Sequence, residues 1–151
     1  RRDDRRQGPT GCGRCGRQVA MTDGDSQLRR RRDALTTQRN PNPDRDRVST
    51  LTAELTIPGS DGSGTVAIDL RYVADRDIFA PTVFSDYLEI VATQSWQDLE
   101  TLADAILDDV NNQAVPRWLW LRLATPRHAV IQQDRQPRWD NQELLATLDF
   151  S

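Results

Sequence analysis

The chain's two cysteines stand together as Cys12-Gly13-Arg14-Cys15-Gly16, a spacing that suits one half of a zinc knuckle. A tetrahedral zinc needs two further ligands, and the only other nitrogen or sulfur ligand of that kind is His128, so no metal is expected. Arg29-Arg30-Arg31-Arg32 could neutralise phosphates, but no aromatic side chain lies near it to stack on a base. The run reads as part of a solvated, disordered arm, and nucleic acid is not an expected partner. Pro58 to Gly64 carries Ser60, Asp61 and Ser63 among three glycines. Asp61 is a candidate for proton transfer, although a glycine-rich turn carries an aspartate for conformational reasons alone. The two hydroxyls have no histidine near them in sequence to make them nucleophilic. His128 reads as a surface residue of a strand rather than as a ligand or base.

Several elements must position these groups. Trp96, Leu99, Leu102, Ala103, Ile106, Leu107 and Val110 recur at helical spacing, with Gln97, Asp98, Glu100, Asp104, Asp108 and Asp109 assigned to the wet face. Ser95 is the expected cap and Asn111-Asn112 the expected stop. A shorter helix fits Val83 to Val91. Leu51, Ala53, Leu55 and Ile57 alternate with polar residues, as do Val66, Ile68, Leu70 and Tyr72, so the two runs read as a hairpin about the Pro58–Gly64 reversal. Arg117 to Ala124 is apolar on both faces and should be covered on both. Across the Thr125-Pro126-Arg127 corner, His128 to Gln133 is its expected hairpin partner, which completes the order ββααββ.

A chain of 151 residues allows one domain, and 36% hydrophobic against 28% charged residues implies a modest core that invites a partner. No apolar run approaches the ~20 residues needed to span a bilayer, and the N-terminus is charged rather than signal-like, so the expected location is cytoplasmic and no membrane partner is expected. Two cysteines give no disulfide framework, in keeping with a reducing compartment. Charge divides along the chain: residues 1–47 hold 13 arginines against 7 aspartates, and residues 48–151 hold 7 arginines against 16 acids. The only methionine is Met21, a candidate initiator; residues 1–20 then read as either a translated upstream stretch or the remnant of something longer, and their features are not read as function. The expected organisation is a disordered Arg-rich segment at 1–47, a domain at 48–134 and a tail at 135–151.

From Asn40-Pro41-Asn42-Pro43 to Arg127 the order of segments resembles the tunnelling-fold family, and within it the NADPH-dependent 7-cyano-7-deazaguanine reductases of queuosine biosynthesis. The resemblance rests on that opening segment, the Ala67-Ile68-Asp69-Leu70-Arg71-Tyr72 strand, the Phe84 to Ile90 helix, the Trp96-Gln97-Asp98 helix start and the Thr125-Pro126-Arg127 corner. It implies an α+β tunnelling fold, an antiparallel sheet with two helices that oligomerises into a barrel. It also implies a deazapurine-like substrate, and a loop cysteine that attacks the nitrile to form a thioimide that NADPH reduces.

The residues depart from that pattern at several places. The loop corresponding to the nucleophile's has no cysteine, and Asp61 falls near the family's proton-donating aspartate. Where the family has a His-Glu pair that recognises a guanine-like edge, this chain has Trp96-Gln97; Gln97 is the substrate-binding candidate, or an ordinary first-turn residue. The Glu-Ser-Lys-Ser signature falls at Ala80-Pro81-Thr82-Val83, without its glutamate or lysine. Arg127 matches the arginine of a Pro-Arg-Gly-Gly corner and is the cofactor-binding candidate for an NADPH phosphate, but His128-Ala129 replaces the glycines. Two functions follow: a divergent nitrile reductase, or an inactive purine-binding or assembly protein. A homo-oligomer is expected because the Trp118–Leu123 strand is too apolar to be covered within one copy, so that a charge at Trp120 or Leu121 should dissociate or unfold it.

Overall fold

The computed structural model describes residues 23–57 and 64–148. Met21, the Cys12/Cys15 pair and the candidate acid Asp61 lie outside the described residues. In chain order the elements are α1 (Asp23–Ala34), β1 (Gln38–Arg39), β2 (Val48–Thr56), β3 (Thr65–Val73), β4 (Asp77–Ile78), α2 (Pro81–Ala92), α3 (Leu99–Ala114), β5 (Trp118–Ala124), β6 (Ala129–Arg135) and α4 (Gln142–Ala146). The protein is α+β. Strands β2-β3-β5-β6 form one antiparallel sheet, and β1 pairs with β4 in a second, two-stranded one. The ββααββ order is therefore present, with α1, β1, β4 and α4 added to it.

Strand alternation decides which side chains meet. Leu51 stands opposite Leu70, Ala53 opposite Ile68, Leu70 opposite Leu121 and Leu123 opposite Val130, all on the face that α2 and α3 cover. Phe84, Tyr87, Leu88 and Val91 from α2 and Leu102, Ala103, Ile106 and Val110 from α3 complete this core. At the hairpin end Gly64 takes a left-handed φ of +68°, and its carbonyl accepts the Ile57 N–H at 2.8 Å.

The other face of β5 answers the question its sequence raised. Trp118 and Trp120 are only 1% and 4% exposed, and with Val73 they form a second cluster packed by Val48, Trp139, Leu144, Leu145 and Leu148. The supposed tail at 135–151 thus contributes the cover, and the apolarity of Trp118–Leu123 does not by itself require a second copy. Asn141 caps α4 by accepting the Leu144 N–H at 3.1 Å, yet no residue of this helix is buried.

One carboxylate pins that segment. Asp46 accepts from Arg117 at 3.0 Å, from the Trp139 indole at 3.0 Å and from the Asn141 amide at 3.1 Å. Burial pushes the Asp46 pKa up, but these bonds from Asn141, Trp139 and Arg117, with the Arg117 charge, outweigh it and hold the carboxyl below its ordinary 3.8. A carboxyl depressed by folding stabilises the native state above its unfolded pKa, and that contribution is lost as pH falls through the folded value. The C-terminal segment is therefore expected to loosen in acid, below about pH 4. An Asp46→Asn variant should lack that transition. The Trp139 indole resonance, followed from neutral to strongly acid pH in both proteins, checks this; superimposable titrations would remove Asp46 from the account.

The Arg-rich segment is also different from expectation over its described part. Residues 23–34 are helical, and α1 packs on α2 and α3. What holds it is mostly polar, which is why hydrophobic periodicity does not reveal it. Leu35 is fully buried, Arg31 nearly so, and Gln113 of α3 donates to the carbonyls of Arg32 and Leu35 at 2.9 and 3.1 Å.

Candidate functional site

A cavity of about 340 Å³ lies where the start of α3 meets the end of the β2–β3 hairpin and the β5–β6 corner. Ile57, Val66, Leu99 and Leu102 make it apolar, Trp96 and Gln97 come from the connector between α2 and α3, and Glu100, Thr125 and His128 add polar groups. Such a mixture of apolar surface and few convergent polar groups is what small-molecule sites present.

The connector's path follows from where α3 begins. Asp98, not Ser95, is the N-cap: its backbone is extended and its Oδ1 accepts the Thr101 N–H at 2.7 Å. The Thr101 hydroxyl, then that N–H, hold the exposed Asp98 carboxyl below its ordinary value. Helix α3 runs three residues later than expected at the start, and it continues past Asn111-Asn112 to Ala114. Asn111 is bonded to Asp134 at 2.8 Å and so does not turn back on the helix end. Val115 ends the helix in the left-handed region, at φ 43°, with its N–H on the Asn111 carbonyl at 3.0 Å.

Trp96 and Gln97 therefore precede the helix instead of forming its first turn. Trp96 is half-buried, and its indole donates to the Val91 carbonyl at 2.8 Å. Among the described residues the exposed Gln97 amide has no hydrogen-bond partner, so its donor and acceptor are both available to a ligand in the cavity.

The opposite rim is tied to itself. His128 Nε2 lies 2.8 Å from Glu100 Oε2, a contact between half-exposed side chains. His128 precedes β6 rather than lying on it. At the corner Thr125 Oγ1 accepts the backbone N–H groups of Arg127 and His128 at 3.4 and 3.1 Å, and the Thr125 N–H donates to the His128 carbonyl at 2.7 Å. The Arg127 guanidinium is exposed and has no bonding partner among the described residues; it is not among the lining side chains. The fold thus brings Gln97 to the cavity and Arg127 to its neighbourhood.

The chain matches no protein-family profile and no curated protein. Among the described residues no group of three or more His, Cys, Asp or Glu side chains is placed to hold a metal ion, and no helix is long and apolar enough to cross a membrane.

Behind the connector lies a network that sequence reasoning missed. Asp109, which helical spacing had assigned to the wet face, is 0% exposed. Its Oδ2 accepts Arg31 Nε at 2.7 Å and the Tyr87 hydroxyl at 2.6 Å, and its Oδ1 accepts Arg32 Nε at 2.9 Å. Burial, then the neighbouring carboxylate, push the Tyr87 phenol well above its ordinary pKa, so it remains a donor. Arg31 also donates to Gln94 Oε1 at 2.8 Å. One signal was available: Asp109 follows Leu102 by seven residues and Ile106 by three, which puts it beside the apolar stripe.

A broader cleft of about 540 Å³ lies between Arg39, Asn40, Pro43, Asp44, Asp75, Arg76, Asp77 and Arg117. Arg117 is already committed there, to Asp46 at 3.0 Å, to Asp75 at 3.2 Å and to the Pro43 carbonyl, so its role is to fasten the Asn40–Pro43 segment.

Proposed function

We propose that this chain is a diverged tunnelling-fold protein, related to the 7-cyano-7-deazaguanine reductases, that binds a neutral, purine-like planar heterocycle without reducing it. The observation that carries the reading is the pairing of the Trp96 side chain with the uncommitted Gln97 amide on a cavity floored by Ile57, Val66, Leu99 and Leu102. A ring system would lie against these apolar groups, and one donor-acceptor edge would satisfy the amide. Gln97 carries no charge, which suits a neutral lactam edge better than a cationic one.

Covalent chemistry has little support. No thiol is encoded between residues 16 and 151, and without a thiolate a nitrile is a poor electrophile for the available groups. Nor does the Thr125–His128 corner fit NADPH. The backbone N–H groups of Arg127 and His128 are bonded to Thr125 Oγ1 instead of being turned to a phosphate, which leaves the Arg127 guanidinium as the phosphate-binding group of the corner. The reading accordingly includes no hydride transfer.

Assembly belongs to the same proposal. Strands β2 and β6 are the edges of the four-stranded sheet, and Ile131 on β6 is 55% exposed. Copies joined β6 to β2 around a closed ring would remove both edges, as a barrel requires. Sedimentation should find a homo-oligomer at micromolar concentration, and a stable monomer would exclude the barrel.

Titration with 7-cyano-7-deazaguanine, recording heat and thioimide absorbance together, tests the functional reading. Heat without the absorbance change is the expected result. Thioimide formation would restore the reductase reading, and absence of heat would exclude the pocket as a deazapurine site.

A further inference from the structure

The α2–α3 connector is fixed from behind by the N-terminal helix. Gln94 is buried, and α1 holds both ends of its amide: its Oε1 accepts Arg31 Nη1 at 2.8 Å, and its Nε2 donates to the Gln27 carbonyl at 3.1 Å. Two residues later, the Arg31 guanidinium carbon stands 5.2 Å from the centre of the Trp96 ring. Arg31 itself is anchored through Nε to the buried Asp109. A single guanidinium thus joins the core carboxylate, the connector amide and the aromatic wall of the cavity.

We propose that Arg31 is a positioning residue of the ligand pocket, holding Gln94 and Trp96 so that Trp96 and Gln97 line the cavity and coupling ligand binding to the docking of α1. The inference rests on the binding reading for its functional consequence, but the positioning itself does not need a ligand to be seen. Its neighbour Arg32 supplies the comparison. Arg32 makes an equivalent bond to Asp109, at 2.9 Å, but unlike Arg31 its side chain makes no hydrogen bond, ion pair or ring contact with the connector among the described residues. The planar fork of arginine can bond along its edge while its face lies on a ring, whereas a lysine ammonium cannot do both.

Arg31→Lys and Arg32→Lys, each in the full chain, therefore remove the same kind of Asp109 bond, and only the first should disturb the pocket. The readouts are the Trp96 indole and Gln97 side-chain amide resonances of the free protein, assigned with Trp96→Phe and Gln97→Ala, and the affinity for 7-cyano-7-deazaguanine. Arg31→Lys is expected to shift and broaden both resonances and to weaken binding about tenfold, roughly the worth of one stacked cation and one hydrogen bond. Arg32→Lys should leave both resonances and the affinity unchanged. Should Arg31→Lys fail to fold, Gln94→Leu cuts the connector tie while leaving the Asp109 pairs intact, and the same displacement of Trp96 is expected. Unmoved Trp96 and Gln97 resonances in Arg31→Lys, or in Gln94→Leu where that variant replaces it, would overturn the proposal, as would equal effects of Arg31→Lys and Arg32→Lys. If the wild-type protein binds no heterocycle, the binding reading fails, and the resonances still decide whether Arg31 positions the wall.

Discussion

Asp109→Ala is expected to destabilise the protein by about 3–5 kcal/mol, the usual cost of leaving a buried charge without its partner. A domain of this size holds only about 5–15 kcal/mol of net stability, so the variant should lie close to unfolding. The cost falls unevenly. Arg32 has a side chain 27% exposed and can turn toward water, but that of Arg31 is 9% exposed and hydrates only if α1 lifts from α2 and α3. Tyr87 also loses the acceptor of its 2.6 Å bond. Urea unfolding monitored by circular dichroism should show a lowered midpoint and weakened helical signal before the main transition. Replacing the whole set, Asp109→Leu with Arg31→Met and Arg32→Met, should recover most of the loss, because apolar groups of similar size need no partners. An unfolding free energy within about 0.5 kcal/mol of wild type for Asp109→Ala would put this network on the surface in solution.

The second large effect separates the two faces of β5. Leu121 is fully buried under the helices, so Leu121→Asp loses the contacts of a core leucine, worth about 2–5 kcal/mol, and adds an unpaired charge. No folded protein is expected. Trp120, one residue away, points to the opposite face, where the C-terminal segment covers it and the Arg71 guanidinium carbon lies 4.8 Å from its ring. Trp120→Asp should therefore keep the helix-covered core and release the segment that follows β6. Trypsin provides the measurement: Trp120→Asp should be cut rapidly after Arg135 and Arg138 and then resist, whereas Leu121→Asp should be digested throughout. Equal sensitivity of the two variants would mean that the sheet has one cooperative core and that the C-terminal segment is no separable cover.

The difference between these residues shows what sequence could and could not disclose. The β2–β3 hairpin and the β5–β6 pair are legible because alternation and helical spacing report burial of apolar side chains, one element at a time. The two apolar faces of Trp118–Leu123 were legible too, but not what covers the outer one. Trp139, Leu144, Leu145 and Leu148 are spaced too irregularly to mark an amphipathic element, and the Asp46 clamp that seats them joins residues far apart in sequence. Helix α1 escaped for a related reason. Its burial is through arginine, and an Arg-rich run looks like a solvated arm until the buried Asp109 is known. At the site, the sequence singled out Gln97 as a candidate but did not place it beside Thr125 on one cavity, which depends on contacts between distant segments. The start of α3 was not legible either, since Ser95 and Asp98 are both good caps, and only the bond from Thr101 to Asp98 distinguishes them.

The most direct test of the central claim is to record the Trp96 indole and Gln97 side-chain amide resonances while 7-cyano-7-deazaguanine is added to saturation. Noncovalent occupation of the cavity predicts that both resonances shift in proportion to occupancy, return on dialysis, and do so while the ring of Trp139, across the sheet, is unaffected. Resonances of Trp96 and Gln97 that stay fixed at saturating ligand, or a change that dialysis does not reverse, would contradict it.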